Sequence, residues 1–400
     1  MSPAAPAGRP SDASHLAPGF PVVAVVGGGQ LARMMHAPAI ALGVGLRVLA
    51  ASVQDSAAQV VRDLRIGQHD DLAALRDVAT GAAVLTFDHE HVPLEHLVEL
   101  ARSGVVVHPR PAALKHAQDK ITMRRALSAA AIPCPRWAVV EQVSELLDFA
   151  DEVGWPVVVK TSRGGYDGRG VWVLDDSAAA ASLLGSVELA PGAAWLAEER
   201  VEFAQELSAQ VARSAHGQAV AYPVVRTVQT DGICTEVVAP APGLDGDTAV
   251  RAQQIALEIA GTLAVVGMLA VELFLTTDGR LLVNELAMRP HNSGHWTIEG
   301  AVTSQFENHV RAVLDLPLGA PTAVAPYAVM VNVLGGDHED MYPAYRHCLA
   351  RDPGLHVHMY GKDVRPGRKL GHVTVVGDNL DDLLVRAHHA ADYLSGAIDE

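Results

Sequence analysis

A chain of 400 residues is too long for one ordinary core, so about two to four packed units are expected. Its formal net charge of −16 at pH 7 argues against general binding to nucleic acid or membrane surfaces, and local basic clusters point to small anionic ligands instead. Cys134, Cys234 and Cys348 are odd in number and widely spaced, which gives neither a zinc site nor a disulfide framework and suits a reducing cytoplasm.

Residues 1–20, rich in Ala, Pro, Ser and Gly without an apolar core of signal-peptide length, read as a disordered tail. Val22 to Val26 then predicts a strand, Gly27-Gly28-Gly29 a turn, Gln30 to Leu42 a helix and Leu46 to Ala50 a second strand. Further strands are expected at Ala82 to Phe87 and Val105 to Val107, completing a parallel α/β unit, and Ala112 to Ala130 reads as one helix. A second unit has strands around Trp137, Val158 and Val173 and a helix near Val143 to Val153. A third has long strands (Ala194 to Val201, Glu206 to Arg213, Ala219 to Val228, Ile233 to Ala239), a helix from about Thr248 to Val266, then strands Leu269 to Thr276 and Arg280 to Leu286. The end, from Tyr327, carries strands near Val331, His356 and Val373 and an amphipathic helix. The most apolar run, Ala256 to Val271, is interrupted by Glu258 and two glycines and does not read as a membrane span.

Four segments carry chemistry. The run Lys160 to Gly170, KTSRGGYDGRG, has the composition of a flap over polyphosphate: glycines admit backbone N–H groups to anionic oxygens while Lys160, Arg163 and Arg169 balance charge. The same residues also suit a glycine-rich hairpin between two strands. Only five of the 30 basic residues are lysines (Lys115, Lys120, Lys160, Lys362 and Lys369), so a retained lysine suggests a specific task; Lys115 is expected to be a chance survivor. Asp278-Gly279 signals a two-residue hairpin loop, which would set Glu272 opposite Glu285 on one sheet face. Facing carboxylates repel unless a cation or proton intervenes, and magnesium bridging to phosphates is a natural solution. Arg289, His291, Asn292, Ser293 and His295 crowd one loop, and Lys362, Arg365, Arg368 and Lys369 form a basic cluster suited to a monophosphate. Gly27, Gly29 and Ala32 match a dinucleotide-type turn, but the second strand ends without the acidic residue that such sites need, and Asp55 comes too late.

The stretches GGGQLARM, KTSRGGYDGRG, EERVEFAQELS, YPVVRTVQTDGI, VELFLTTDGRLLVNELAMRPHNSGHWTIEGAVTSQFE and YGKDVRPGRKLGH together resemble the ATP-grasp superfamily, and within it the N5-carboxyaminoimidazole ribonucleotide synthetase family. The resemblance implies an α/β and α+β chain: a disordered tail (1–20), an N-terminal Rossmann-like pre-ATP-grasp parallel α/β domain (21–118), an ATP-grasp lid (119–200), a central ATP-grasp domain (201–326) and a small C-terminal domain (327–400). It implies ATP-dependent carboxylation of aminoimidazole ribonucleotide through carboxyphosphate in purine biosynthesis, with Mg2+ (or Mn2+) and without biotin. It also implies a cytoplasmic homodimer, bound to neither nucleic acid nor membrane, whose product goes to a separate mutase.

By matching positions, the resemblance places ATP against Lys120, Lys160, Gly164, Gly165, Tyr166, Asp167, Gly168, Arg169, Gly170, Glu206, Gln229, Asn284 and Glu285, with the adenine on the backbone of Glu198, Glu199, Arg200 and Val201. Glu272 and Glu285 take the metal, and Arg289, Asp167 and Arg169 the catalytic roles. Gln30, Glu90, Tyr166, His291, Asn292, Ser293, Lys362, Arg365, Arg368 and Lys369 face the ribotide and bicarbonate. This sequence departs from the family pattern in having Ala32 for glycine, Asp88 for glutamate, Lys120 for arginine, Gln229 for histidine and Met288 for proline.

Overall fold

The structure is a computed structural model that describes residues 19–165, 169–336 and 340–399. The first unit runs β1 (Val22–Val26), α1 (Gln30–Ala41), β2 (Gly45–Ala50), β3 (Asp63–Ile66), α2 (Leu72–Ala79), β4 (Val84–Phe87) and α3 (Leu94–Arg102). Its strands form a parallel sheet in the order β3-β2-β1-β4. Val23, Ala24, Val25 and Val26 are fully buried, as a parallel strand covered on both faces requires. Residues Val105 to Val107 make only a single bridge, Leu85 to Val107, rather than the expected strand, whereas β3 carried too mixed a pattern to be foreseen.

The expected helix over Ala112 to Ala130 is two helices, α4 (Pro111–Gln118) and α5 (Lys120–Ala129). Asp119 breaks it: its backbone is extended and its carboxylate accepts the Thr122 N–H at 2.8 Å, capping α5. Next comes the antiparallel lid, with β5 (Trp137–Val140), α6 (Val143–Val153), β6 (Val157–Thr161), β7 (Val171–Leu174), α7 (Ser177–Ser186) and β8 (Trp195–Glu199), in the strand order β5-β8-β6-β7. The lid has its own core, which includes Leu146, Phe149, Val157, Val159 and Trp195.

The remaining chain contains β9 (Phe203–Arg213), β10 (Ala219–Ala221), β11 (Val225–Thr230), β12 (Ile233–Ala239), α8 (Gly246–Thr262), β13 (Gly267–Thr276) and β14 (Leu281–Ala287). It ends with a 3-10 turn at Asn292–Gly294, α9 (Thr297–Gly300), α10 (Gln305–Val313), β15 (Tyr327–Leu334), α11 (Tyr342–Arg351), β16 (His356–Met359), β17 (Lys369–Gly377) and α12 (Leu380–Ser395). One sheet joins these strands in the order β14-β13-β9-β11-β12-β15-β17-β16, with β10 beside β9. The strands beyond residue 326 extend the central sheet through β12–β15 pairing, so hydrogen bonding is continuous between the central and C-terminal parts.

The C-terminal helix is pinned to that sheet by a titratable contact. Glu236 on β12 accepts from Arg226 Nη2 on β11 at 2.9 Å and lies 2.7 Å from His388 Nε2 on α12. The Glu236 hydrogen bond raises the His388 pKa above its ordinary 6.5, partly offset by burial and assisted by the Glu236 and Asp392 charges. A raised folded pKa means that this contribution is complete below about pH 6.5 and is lost as pH rises through the folded value. The urea midpoint of the wild type is therefore expected to fall between pH 6 and pH 8 by more than that of His388→Gln; an equal fall in both would contradict the contact.

Candidate active site

The hairpin from β13 to β14 differs from its expected geometry in two ways that cancel. Thr276 donates its N–H to the Arg280 carbonyl at 2.9 Å, so the loop has three residues, Thr277 to Gly279, with Gly279 at φ +83°. That moves the pairing by one residue, giving Leu275–Leu281, Phe274–Leu282 and Leu273–Val283. A bulge then takes up Asn284, and Glu272 pairs with Glu285 after all. Regular alternation would send Asn284 and Glu285 to opposite faces; across the bulge both line the same cavity.

That cavity, of about 1570 Å³, lies between the lid, the first unit and the long sheet. Glu272 has its pKa pushed up to about 7 by burial, then by the Glu285 and Glu206 carboxylates, against the pull of Lys369 and Arg289. A carboxyl so placed takes up either a proton or a cation near neutral pH. The donor set, two carboxylates and the Asn284 carboxamide, consists of hard oxygens and leaves room for phosphate oxygens and water, as magnesium or manganese prefers. Among the described residues no cluster of three or more His, Cys, Asp or Glu has metal-binding geometry.

All five lysines line the cavity, Lys115 included. Lys120 Nζ is 3.1 Å from Glu285 Oε1. Lys160 Nζ lies 2.7 Å from Glu198 Oε2 and donates to Asn284 Oδ1 at 3.1 Å. Gly164, Gly165 and Arg169 are on the wall, whereas Gly170 closes the hairpin base by accepting the Thr161 N–H at 3.0 Å. Gly165 has φ +78°, and a Cβ there would meet the Arg169 carbonyl oxygen at 2.4 Å, so only glycine fits. Arg163 is tied to the helix cap Asp119 at 2.8 Å. Tyr166, Asp167 and Gly168 lie outside the described residues.

Glu198, Glu199, Arg200, Val201, Glu206 and Gln229 all line the cavity, but the Glu198 side chain is placed differently from its expected use. Its backbone is in β8, paired with both Trp137 and Val158, while its carboxylate is buried between Lys160 and Arg124. Burial opposes the charge, yet those two cations hold its pKa at about 2. Glu199 likewise commits its N–H to the Arg136 carbonyl at 3.0 Å, leaving Arg200 and Val201 past the strand end. Sequence reading missed the apolar slot here: Val158, Val173, Ile233 and the stacked pair Phe203 and Phe274, whose ring centroids are 4.9 Å apart. Val173 and Phe203 are exposed on this wall.

At the far end Arg289 Nε pairs with Glu90 Oε2 at 2.7 Å; burial works against the guanidinium's charge, and Glu90 and Asp88 more than restore it. Glu90 Oε1 is buried and unpartnered among the described residues. His291 is held near pKa 3 by burial and by the Arg289 and Lys369 charges, so its ring is neutral. Its Nδ1 receives the Ser293 N–H at 3.4 Å and meets Ser293 Oγ at 2.8 Å, which assigns the ring proton to Nε2, 3.4 Å from Glu272 Oε1. Asn292 Oδ1 and Nδ2 are buried and unpartnered among the described residues; the neighbouring Cys234 thiol is directed to the Glu236 carbonyl at 3.7 Å.

Ser293, expected to touch substrate, does not line the cavity. It is buried behind His291, where its hydroxyl meets Ser208 Oγ and Gln210 Nε2, each at 2.8 Å. His295 is also buried, with Nδ1 3.1 Å from Gln305 Nε2. Gly294 leaves room for this network, since a Cβ would meet Gln305 Oε1 at 2.4 Å.

The basic cluster closes the same cavity. Lys362, Arg365, Arg368 and Lys369 line it with Gln30, whose Oε1 accepts from Lys362 Nζ at 2.5 Å. Lys362 and Arg368 also line a second cavity of about 350 Å³ against Gly27, Gly28 and Gly29. Asp55 is there too, but its carboxylate accepts the Ala51 and Ser52 N–H groups at 2.9 and 3.3 Å and braces the turn instead of reading a ribose. Asp88, its pKa raised by burial, faces both cavities.

Comparison with known proteins agrees with this geometry. Family models match in chain order: the ribonucleotide synthetase preATP-grasp domain over residues 21–118, the ATP-grasp domain over 125–306 and the phosphoribosylaminoimidazole carboxylase C-terminal domain over 328–386. The N5-carboxyaminoimidazole ribonucleotide synthase of Mycobacterium tuberculosis is 57% identical over 378 residues, covering 94% of this chain and 88% of its own. The Aspergillus clavatus carboxyaminoimidazole ribonucleotide synthase, solved with ATP, superposes with a TM-score of 0.86 at 31% identity, over 94% of this chain and 99% of that one. A structure of the A. clavatus enzyme with ADP and 5-aminoimidazole ribonucleotide gives 0.85 at 30% identity, over the same shares. With the three domains matched in order, and a relative of that identity covered almost end to end, the chain belongs to the N5-carboxyaminoimidazole ribonucleotide synthase family of the ATP-grasp superfamily.

Proposed function

We infer that this chain uses ATP and bicarbonate to carboxylate 5-aminoimidazole ribonucleotide on its amino nitrogen, through carboxyphosphate, in purine biosynthesis, with release of ADP and phosphate. The observation that carries this reading is a single cavity walled by all five lysines, the Glu272–Glu285 pair, Arg289 with Glu90, and the Lys362–Lys369 cluster. ATP would place its adenine in the slot of Phe203, Phe274 and Val173, near Arg200 and Val201, with Glu206 toward the ribose. Its phosphates would run past Lys120, Lys160, Gly164 and Arg169 to the carboxylates.

Glu272, Glu285 and Asn284 would hold Mg2+ or Mn2+, which when bound neutralises phosphate charge and orients phosphoryl transfer. The chain's own groups supply the rest. Arg289, held by Glu90, presents fixed positive charge where bicarbonate attacks the γ-phosphate. Neutral His291 offers an N–H beside it, and Asn292 offers an unpartnered amide. Gln30, Lys362, Arg365, Arg368 and Lys369 are suited to the ribotide phosphate, next to the N-terminus of α1. Carboxyphosphate is short-lived in water, so having the nucleotide and ribotide ends within one cavity favours carboxyl transfer over hydrolysis.

Nothing in this chemistry calls for biotin. Cytoplasmic placement is supported by three unpaired cysteines, and a homodimer handing its product to a separate mutase by the family resemblance. Steady-state ADP release, measured with and without 5-aminoimidazole ribonucleotide, tests the reading. Release is expected to be fast only with the ribotide present, and ribotide-independent turnover at the same rate would overturn it.

A further inference from the structure

We propose that Arg124 is a positioning residue for nucleotide and metal binding, setting Lys160 and the Asn284–Glu285 bulge from one buried guanidinium. This rests on the reading above that Lys160 meets the nucleotide and Glu285 the metal. Arg124 is on α5, the helix between the first unit and the lid, and has no solvent exposure. An arginine is almost never so deeply buried without a defined set of partners. Here there are three. Nε meets Glu198 Oε1 of the lid at 2.6 Å, Nη1 donates to the Val283 carbonyl at 3.0 Å, and Nη2 to the Asn284 carbonyl at 2.8 Å.

The two carbonyls belong to successive residues of β14 at its bulge. In a regular strand successive carbonyls point to opposite sides, so one planar guanidinium reaches both only because the strand is bulged there. Arg124 thus fixes the irregularity that brings Asn284 and Glu285 onto one face. Its other arm fixes Glu198 Oε1, which leaves Oε2 aimed at Lys160 Nζ at 2.7 Å, and Lys160 returns to Asn284 Oδ1 at 3.1 Å. The loop Arg124, Glu198, Lys160, Asn284 is closed and spans α5, the lid and the central sheet. Nucleotide affinity and its dependence on the metal therefore share one support. Lysine cannot replace it, since an ammonium lacks the fixed fork that serves a carboxylate and two carbonyls at once.

The test measures ADP binding by calorimetry, with and without Mg2+, on the full chain. Arg124→Lys is expected to weaken ADP binding about tenfold with Mg2+ and to reduce the gain in affinity that Mg2+ provides. Glu198→Gln is expected to weaken ADP binding by a similar factor in both conditions, because it loosens Lys160 and leaves the bulge held. A purely structural Arg124 would lower the unfolding midpoint and leave both affinities of the folded protein unchanged, which would overturn the proposal. Should Arg124→Lys not fold, wild-type ADP affinity in Glu198→Gln would overturn it independently. Binding of ADP requires no ribotide, so failure of ribotide-dependent turnover would sink the proposed function and leave this measurement intact.

Discussion

Glu285→Gln is expected to lower ribotide-dependent ADP release by about 10³-fold without unfolding the protein. Glu285 is partly exposed on the cavity wall, and its ion pair in this structure is the one with Lys120 at 3.1 Å, so folding depends little on its charge. Its removal halves the carboxylate charge available to a metal at the point where the transferred phosphoryl needs it. It also relieves Glu272, whose pKa is raised in part by Glu285. Turnover measured over a range of Mg2+ concentrations, with circular dichroism as the folding control, decides the matter. Turnover close to the wild-type rate would remove Glu285 from the metal site.

Lys160→Met is expected to destabilise the fold by about 3 kcal/mol as well as to weaken ATP binding, because it strips one of two cations from the buried Glu198 carboxylate. Glu198 has a folded pKa of about 2 against an ordinary 4.5. A depressed folded value contributes stability that is present above about pH 4.5 and is lost as pH falls toward 2. The variant should therefore unfold at a higher pH on acidification, with Arg124 alone holding the carboxylate. Urea titrations at pH 7 and pH 4 measure both effects, and an unchanged midpoint at both pH values would show that the pair contributes nothing.

The parts of the site that were legible in sequence are those where one residue type does one job. Rare lysines marked the cavity because arginine had taken over the surface, and the structure adds the fifth, Lys115, to the wall. The Glu272–Glu285 pairing was anticipated, but from a two-residue loop that is in fact three residues, rescued by a bulge at Asn284. No local pattern announces a bulge whose carbonyls are held by a guanidinium 160 positions earlier in the chain. Arg124 was invisible for the same reason: in the sequence it is one basic residue in an ordinary helix. Ser293 was read as a ligand contact because loop polarity does not distinguish the residue that faces a cavity from the one that braces its neighbour. The continuous sheet beyond residue 326 was hidden because strand pairing between β12 and β15 is a long-range property.

On this reading one cavity passes a carboxyl group from bicarbonate to the ribotide at the expense of ATP. The fate of isotope-labelled bicarbonate incubated with the protein, Mg2+, ATP and 5-aminoimidazole ribonucleotide tests this transfer. Ribotide- and ATP-dependent entry of label into an acid-labile product is expected, in step with ADP release. Release of ADP with no label in the product, or labelling without ATP, would contradict it.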